Sequence, residues 1–333
     1  MRKVLLKDIA KKVGIGTASV SKALRDSNDI SPGTIKKVKK VAREMGYYPN
    51  IAARNLVNRK SYIIGVLLPE ILTSHHSHVV NSFYEAARSR GYEVILMVTN
   101  ENSENENHCL RYLASLPVDG IIATIAEETT DFSAFKEIDS NGTPVVFYGR
   151  DVKNSSIPIF CNGDYFWAGK IMDFLLSEGH RKIAFLGPYK TLYSSGRKFD
   201  AYCDCLIKAG IKVSSELVKS CKINDKDGYS KTREILSEGI APDAILCAND
   251  MVAIGAAKAL MEQGLKIPQD VALTGFGNLI ETSILNVPIS TVDFYPEQMA
   301  KTVMNTLINT IEFGKKPEKD NRILMEASLI TRP

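Results

Sequence analysis

Between residue 61 and the end of the chain, short apolar runs alternate with amphipathic segments, and this alternation limits the possible folds more than any other feature. The apolar runs predict strands at Tyr62–Leu68, Glu93–Val98, Gly120–Thr124, Pro144–Phe147, Lys182–Leu186, Ala244–Cys247 and Val271–Thr274. The segments between them predict helices near residues 76–90, 104–115, 132–140, 164–178, 195–209, 228–238 and 249–263. This order is typical of an α/β fold, in which helices cover both faces of a parallel sheet.

The length of this region suits two doubly wound parallel-sheet lobes. We expect a first lobe at about residues 61–160 plus 291–333 and a second lobe at about 161–290. A final helix near 295–312 and a terminal strand near 322–330 would return to the hinge side. Ligands of such sheets bind outside the carboxyl ends of the strands, so the cleft between the lobes is the expected binding site.

The first 60 residues are basic, whereas the remainder is acidic. They contain 15 Lys and Arg residues against 4 Asp and Glu, and residues 61–333 contain 27 against 34, which together leave a net charge of +4. A basic head on a larger acidic body is typical of a nucleic-acid-binding module joined to a regulatory or catalytic domain. A solvated basic face would give the same count.

The basic segment carries the signals of three short helices. Apolar residues recur at helical spacing over 6–13, and Gly14 follows them, as it does at many helix ends. A second pattern starts about three residues later, and a third begins with Ser31 as cap and Pro32 in the first helical position. Two short helices joined by a brief Gly-containing connection predict a helix-turn-helix, in a small all-α domain at residues 1–49.

In a helix-turn-helix, the first residues of the second helix lie in the major groove and meet base edges. Thr17 and Ala18 suit thymine methyl groups, and Lys22 suits guanine acceptors. Three hydroxyl residues are candidates for phosphate contacts: Ser19, Ser21 and Ser31. For the first two, the alternative is plain helix surface.

Two stretches of the head carry a family resemblance. LKDIAKKVGIGTASVSKAL and ISPGTIKKVKKVAREMGYYPNIAARNL contain the elements D-I-A-x-x-x-G, S-V-S and G-Y-x-P-N. They strongly resemble the head of the LacI/GalR family of bacterial transcription regulators, without gaps over about 55 residues. The resemblance implies that a homodimer binds a near-palindromic operator in double-stranded DNA.

The resemblance also implies a hinge at residues 50–60. In this family the hinge forms a short helix on DNA, pairs with its dimer mate and inserts a Leu between the central base pairs. The matching residue is Leu56, and three residues line the approach: Asn50, Ala53 and Arg54. An apolar wedge of this kind unstacks a base step and bends the duplex. The alternative is a linker residue that packs on its own body.

The rest of the chain resembles the effector-binding core of the same family, itself similar to periplasmic sugar-binding proteins. The matching segments include EGHRKIAFLGP, DAILCANDMVAIGAAKAL and IPQDVALTGF. The resemblance implies effector contacts by Thr124, Arg197, Tyr229 and Asn249. The alternative for Arg197 is a structural ion pair, and for Thr124 and Tyr229 it is packing in the core or at the rim.

Three positions depart from the family pattern. Gly277 and Gly149-Arg150 stand where the family usually or often has Asp, and TSHHSH at 73–78 replaces a common N-P-F-F. We therefore add to the expected effector site Thr73, His75, His76, Arg150 and Gly277. The changes remove acceptors and keep or add donors, namely His75, His76, Arg150 and Arg197. Our hypothesis is thus an anionic effector, for instance a sugar phosphate.

Other functions leave no trace in the chain. It contains no phosphate loop, no H-E-x-x-H, no G-x-S-x-G and no G-x-G-x-x-G after a strand, so we expect no enzyme and no cofactor. His75 and His78 lack a Cys or carboxylate at ligand spacing, so we expect no metal. A sugar-binding transport protein would need a signal peptide and would not need the basic head.

The sequence therefore predicts a homodimeric transcription regulator, acting as a repressor, that answers to a sugar or sugar phosphate. Whether the effector is an inducer or a corepressor stays open, and the alternative is a cleft that answers to a protein partner. No signal peptide is visible and no apolar run approaches the ~20 residues of a membrane span, which predicts a cytoplasmic protein with no membrane partner. The six scattered cysteines fit as reduced thiols.

Overall fold

The computed structural model describes residues 4–47, 60–153, 155–284, 287–315 and 322–332. The predicted hinge residues Asn50, Ala53, Arg54 and Leu56 lie outside these ranges. The chain divides into two compact units, Met1–Ser61 and Tyr62–Pro333.

The first unit contains three helices around a small apolar core. They are α1 (Leu6–Val13), α2 (Thr17–Leu24) and α3 (Pro32–Glu44). Gly14 ends α1 in the left-handed conformation at a φ of 82°, which a residue without a Cβ adopts at no cost. The Ser31 hydroxyl accepts a hydrogen bond from Thr34 N and starts α3. The buried side chains of this core are Ile9, Ala10, Val13, Val20, Ala23, Val38 and Ala42.

The first lobe of the second unit is built on a six-stranded sheet in which every pair is parallel. Its strands are β1 (Ile63–Leu68), β2 (Glu93–Val98), β3 (Gly120–Ala123), β4 (Val145–Gly149), β5 (Ile159–Cys161) and β11 (Arg322–Leu324). Their spatial order is β11-β5-β4-β3-β1-β2. The helices of this lobe are α4 (Ser74–Ser89), α5 (Ser103–Ser115), α6 (Ser133–Ser140) and α12 (Pro296–Phe313).

The second lobe has a sheet of the same size. Its strands are β6 (Ile183–Leu186), β7 (Val218–Lys219), β8 (Ala244–Cys247), β9 (Ala272–Thr274), β10 (Ile289–Asp293) and β12 (Ser328–Ile330). Their order is β12-β10-β9-β8-β6-β7, and β12 alone among these six runs antiparallel to its neighbour. The helices are α7 (Asp164–Ser177), α8 (Tyr193–Lys208), α9 (Asp225–Ser237), α10 (Asp250–Glu262) and α11 (Ile280–Ile284), with a 3-10 turn at Ser215–Leu217.

Each sheet separates two apolar cores, as a doubly wound sheet requires. Along β1, Ile64, Val66 and Leu68 belong to the core under α4 and α12, whereas Leu67 belongs to the core under α5 and α6. This alternation follows from the two-residue repeat of a strand. The predicted fold class, two parallel-sheet α/β lobes with a small helical N-terminal unit, is thus confirmed.

The course of the last 45 residues differs from the prediction. β10, at 289–293, belongs to the second sheet, and the predicted terminal strand at 322–330 is two strands, one in each sheet. The chain therefore passes between the lobes three times, after β5, after β10 and between β11 and β12. The run ILMEASLI does not show this division because both halves are equally apolar and their partners lie far away in sequence.

Candidate functional site

The start of α2 is the candidate base-reading surface of the first unit. Thr17 and Ala18 are exposed, and Gly16 provides no capping side chain. The first backbone N–H groups of a helix have no partner within the helix, and they carry its positive dipole end. This end of α2 therefore suits contact with an anionic, acceptor-rich surface such as DNA.

Lys22, one turn further along α2, is exposed but already ion-paired. Its Nζ lies 2.7 Å from Asp29 Oδ2, and this hydrogen bond lowers the pKa of the Asp29 carboxyl. Ser19 and Ser21 are half-buried, so neither is plain helix surface. Ser31 is exposed, and its hydroxyl is used in the cap of α3.

A cavity of about 150 Å³ lies between the two lobes of the second unit, at the carboxyl ends of both sheets. Its wall includes side chains from the first lobe, from the crossover after β5 and from the second lobe. Seven of the predicted effector residues are among them: Thr73, His75, His76, Thr124, Arg150, Asn249 and Gly277. The chain folds so that strand ends and helix starts converge here, as expected for parallel sheets.

Several of these residues hold the backbone of the wall. The Thr73 hydroxyl accepts from His76 N at the start of α4, and the Asn249 amide oxygen accepts from Val252 N at the start of α10. Thr124 is buried and donates to Tyr148 O. Gly277 has a φ of 124°, a conformation that side chains disfavour, so a carboxylate at this position would strain the turn.

Arg197 and Tyr229 are not part of the cavity wall, so these two predictions are wrong for this structure. Arg197 pairs with Asp200 at 2.8 Å and lies over the ring of Tyr165. Its neighbour Lys198 lines the cavity instead, because one residue along a helix turns the side chain by about 100°.

Tyr229 lies on α9, where close packing against α10 directs it away from the cavity. A Cβ at Gly255 of α10 would lie 2.6 Å from Tyr229 N, so the two backbones are in contact. The Tyr229 hydroxyl donates to Glu262 Oε2 at 2.6 Å, at the far end of α10. Of the two readings of this residue, packing rather than ligand contact describes the structure.

The two cationic side chains in the wall are both neutralised. Arg150 donates two hydrogen bonds to Glu101, at 2.6 and 2.7 Å, and one to Ile125 O. Burial raises the pKa of Glu101, but the hydrogen bonds and charge of Arg150 outweigh it and the net shift is downward. Lys198 Nζ lies 3.1 Å from Asp164 Oδ1 and donates to Ala248 O.

The imidazoles do not add positive charge to the cavity. Burial, with the charges of His76 and His78, lowers the pKa of His75 to about 3, so this ring is neutral at physiological pH. His76 Nδ1 lies 3.4 Å from Glu70 Oε1. With carboxylates at Glu70, Glu101 and Asp164, the wall is not electropositive, and the charge argument for an anionic effector is wrong.

Sequence reasoning missed much of the wall. The residues it did not single out include Glu70, Glu101, Asn162, Asp164, Ser194, Ser195, Lys198, Phe276 and Phe294. Several stand one to four residues after a strand end, as do Glu70 after β1, Glu101 after β2 and Asn162 after β5. That position was the available signal, since such residues gather at one edge of a parallel sheet.

Two hydrogen bonds join the lobes across the mouth of the cleft. Ser74 Oγ donates to Glu281 Oε2 at 2.5 Å, and Thr191 Oγ1 donates to Glu127 Oε1 at 2.7 Å. Each pair takes one residue from each lobe. They hold the lobes together at two separate points of the cleft.

Metal and membrane features are absent from the part of the chain that the structure covers. No group of three or more His, Cys, Asp or Glu side chains there is placed to hold a metal ion. No helix within the same ranges is long and apolar enough to cross a membrane.

Comparison with known proteins gives the same division of the chain. Residues 5–50 match the family model described as bacterial regulatory proteins, lacI family. Residues 61–332 match that of periplasmic binding proteins and sugar binding domain of LacI family.

Individual relatives match over the whole length. The chain is 30% identical over 332 residues to the HTH-type transcriptional regulator RegA of Clostridium saccharobutylicum, with 98% of each chain covered. It is 26% identical to the HTH-type transcriptional repressor PurR of Pasteurella multocida, with 98% of this chain and 97% of the relative covered. Its fold is similar to that of the lac repressor dimer bound to operator and an anti-inducer, with a TM-score of 0.87, 23% identity and 99% and 98% coverage.

The helix-turn-helix, the two-lobed unit and these matches lead to one conclusion. This protein belongs to the LacI family of bacterial regulatory proteins and is a DNA-binding transcription regulator, not an enzyme.

Proposed function

We propose that this protein is a transcriptional repressor that binds a near-palindromic operator as a homodimer under the control of a small effector. The observation that carries the proposal is the combination, in one chain, of a basic helix-turn-helix and a two-lobed unit with a polar cavity at its strand ends. The relative from Pasteurella multocida is itself named a repressor. The site of action would be the cytoplasm, where the DNA lies.

On DNA, α2 would read base edges through Thr17, Ala18 and Lys22. Lys22 would exchange its ion pair with Asp29 for an acceptor on a base. The wedge at Leu56, with its neighbours Asn50, Ala53 and Arg54, stays a prediction from the family resemblance. Two heads related by a dimer axis would occupy two half-sites, which accounts for an operator of near two-fold symmetry.

An apolar surface on the first lobe supports the homodimer. β2 is the edge strand of its sheet, and beside it Leu72 is 88% and Ile71 46% exposed. A shallow groove lined by Val80, Tyr84 and further apolar side chains of β2 continues this surface. Exposed apolar patches next to a sheet edge are typical of protein interfaces.

For the effector we propose the carbohydrate class, because the matching description of this unit names a sugar-binding domain. The cavity volume of about 150 Å³ is below the roughly 300–1,000 Å³ of pockets for drug-sized ligands. It therefore favours a single sugar unit, with or without a phosphate, over an oligosaccharide.

Effector binding would act on DNA binding through the relative position of the lobes. The hydrogen bonds Ser74–Glu281 and Thr191–Glu127 hold the lobes together at two points, so a ligand that changes their separation has contacts to make or break. Such coupling is typically worth about 1–3 kcal/mol.

Selection from a random duplex library by the full-length protein tests this proposal. It is run at about 150 mM salt, where phosphate contacts alone bind weakly, with and without a pool of sugars and sugar phosphates. Enrichment of a two-fold motif that the pool abolishes identifies a repressor released by an inducer. Enrichment only with the pool identifies a corepressor.

Two other outcomes bear on the alternatives. A motif that no pool affects favours a cleft that answers to a protein partner. No enrichment under any condition contradicts sequence-specific binding, and the roles of Thr17, Ala18, Lys22 and Leu56 would be withdrawn.

A further inference from the structure

Four buried polar atoms without a hydrogen-bond partner belong to residues in the wall of the same cavity. They are His75 Nδ1, Asn162 Oδ1, Asp164 Oδ2 and Ser195 Oγ. In the ranges that the structure covers, only three other side-chain atoms are in this state, on Tyr92, Thr99 and Asp243. The concentration of such atoms in one wall distinguishes this cavity from the rest of the described fold.

An unpartnered polar atom in a protein interior is costly, and native folds contain few of them. Here they come from every part of the wall: His75 from α4 of the first lobe, Asn162 from the crossover, and Asp164 and Ser195 from the second lobe. A single molecule between the lobes can therefore supply the missing partners. The cost is incurred by the empty cavity and is removed when it fills.

The chemistry of these atoms specifies what that molecule must bring. The amide oxygen of Asn162 and the free carboxylate oxygen of Asp164 accept hydrogen bonds. The neutral ring of His75 and the Ser195 hydroxyl can each accept or donate. The wall thus asks mainly for donors, whereas a phosphate group offers only acceptors once it is fully ionised.

The neighbouring cations are not available to an anion either. Lys198 is held by Asp164 Oδ1 and Ala248 O, and Arg150 by Glu101 and Ile125 O. An incoming phosphate would have to break one of these pairs and leave a buried carboxylate without its partner, which is strongly unfavourable.

The apolar part of the wall suits the other face of the ligand. The rings of Phe276 and Phe294 lie parallel, with centroids 6.2 Å apart, and both are buried beside Leu192. A sugar ring presents C–H groups on its faces and hydroxyls at its rim. Hydroxyls both donate and accept, so they can satisfy all four wall atoms.

We infer that the cavity selects an uncharged polyhydroxylated ligand, whose hydroxyls donate to Asp164 and Asn162, and that it discriminates against the phosphorylated form of that ligand. This inference rests on the proposed function of the cavity as the effector site. It replaces the sugar phosphate of the sequence hypothesis with the unphosphorylated sugar.

Calorimetry on the full-length protein tests the inference. The probes are a panel of monosaccharides, polyols and nucleosides, each paired with its monophosphate. We expect an uncharged member to bind at least tenfold more tightly than its phosphate. Tighter binding of a phosphate overturns the inference and leaves the proposed effector function standing, whereas no binding by any member overturns both.

Two single variants separate a ligand role from a structural one. Ser195→Ala removes an unpartnered hydroxyl from the cavity wall, and Thr99→Val removes one that lies outside the wall. Neither change breaks a side-chain hydrogen bond, so both should keep or raise the melting temperature. Ser195→Ala should weaken the best uncharged ligand about three- to tenfold, and Thr99→Val should leave its affinity unchanged. Equal affinities for both variants would count against the assignment of Ser195.

Asp164→Asn tests the central acceptor. The amide can still accept from Lys198 but replaces the free carboxylate oxygen with a donor. The uncharged ligand should lose roughly ten- to hundredfold in affinity, and the difference from its phosphate should shrink. An unchanged preference in this variant, with native melting behaviour, would show that Asp164 does not contact the ligand.

Discussion

At the scale of single residues, adjacent positions on α8 have different roles. Lys198 is nearly buried and its ammonium is paired with the buried Asp164 carboxylate, whereas Arg197 is a third exposed and pairs with the exposed Asp200. A buried charge without its partner is costly, but an exposed pair contributes little. Similar ion pairs in sequence terms therefore have different importance for stability.

Replacing each cation with Met should show this difference. Lys198→Met leaves Asp164 buried without its cation and should lower the free energy of unfolding by about 3–5 kcal/mol. Arg197→Met should change it by less than about 1 kcal/mol. Urea denaturation followed by circular dichroism measures both, and losses of equal size would contradict the burial argument.

Asp250 is a second residue whose role follows from burial. Its carboxylate accepts from Leu279 N and from the Thr291 hydroxyl and so joins α10 to the segment after β9 and to β10. Burial raises its pKa to about 6, against these two hydrogen bonds and the charges of Arg332 and Lys198. The folded state therefore binds a proton that the unfolded state, at its ordinary pKa of 3.8, has already released.

A pH series on Asp250→Asn checks this shift. The stabilising effect of the raised pKa is fully present below pH 3.8 and is lost as the pH rises through about 6. The native protein should thus lose stability relative to the variant between about pH 4 and 6, and the difference should be constant above pH 7. A difference that does not vary with pH would show that Asp250 is not shifted.

At the scale of elements, the helices of the first unit divide the work of binding DNA. α2 presents its uncapped start and Lys22, whereas α3 presents a row of exposed basic side chains that includes Lys36. Base contacts determine sequence preference, but phosphate contacts do not.

Substitution of one lysine on each helix should separate these roles. Lys22→Ala should relax the preference at one position of each half-site, at a cost of about 1–3 kcal/mol for the preferred base. Lys36→Ala should weaken all sequences alike and reduce the salt dependence of binding by about one phosphate contact. Titrations of matched and mismatched operators at several salt concentrations measure both effects. An unchanged base preference in the Lys22 variant would exclude it from base reading.

At the scale of the whole molecule, the proposed dimer makes a prediction of its own. Leu72→Glu places a charge in the centre of the apolar surface beside β2 and should shift the protein to monomer and abolish operator binding at nanomolar concentrations. Ile207→Glu is the matched control, because Ile207 is also apolar and 66% exposed but lies on α8. Sedimentation velocity measures both variants. A dimer that persists with Leu72→Glu would place the interface elsewhere.

Much of this molecule follows from local sequence. The helix-turn-helix depends on Gly14, Ser31 and Pro32, whose backbone preferences act within one turn, and the two sheets follow from apolar runs that alternate with amphipathic segments. The position of the cavity follows from the same alternation, since parallel strands bring their carboxyl ends to one edge. These features could be predicted because each depends on residues close together in the chain.

The tertiary structure alone decided the chemistry of the cavity. Arg150 and Lys198 are cations in the sequence, but Glu101 and Asp164, which lie 49 and 34 residues away, neutralise them in the fold. The run at 322–330 divides between two sheets because strands formed far upstream leave an edge open in each. Charge pairing and strand pairing depend on contacts between distant residues, and a sequence specifies those contacts only through the complete packing of the chain.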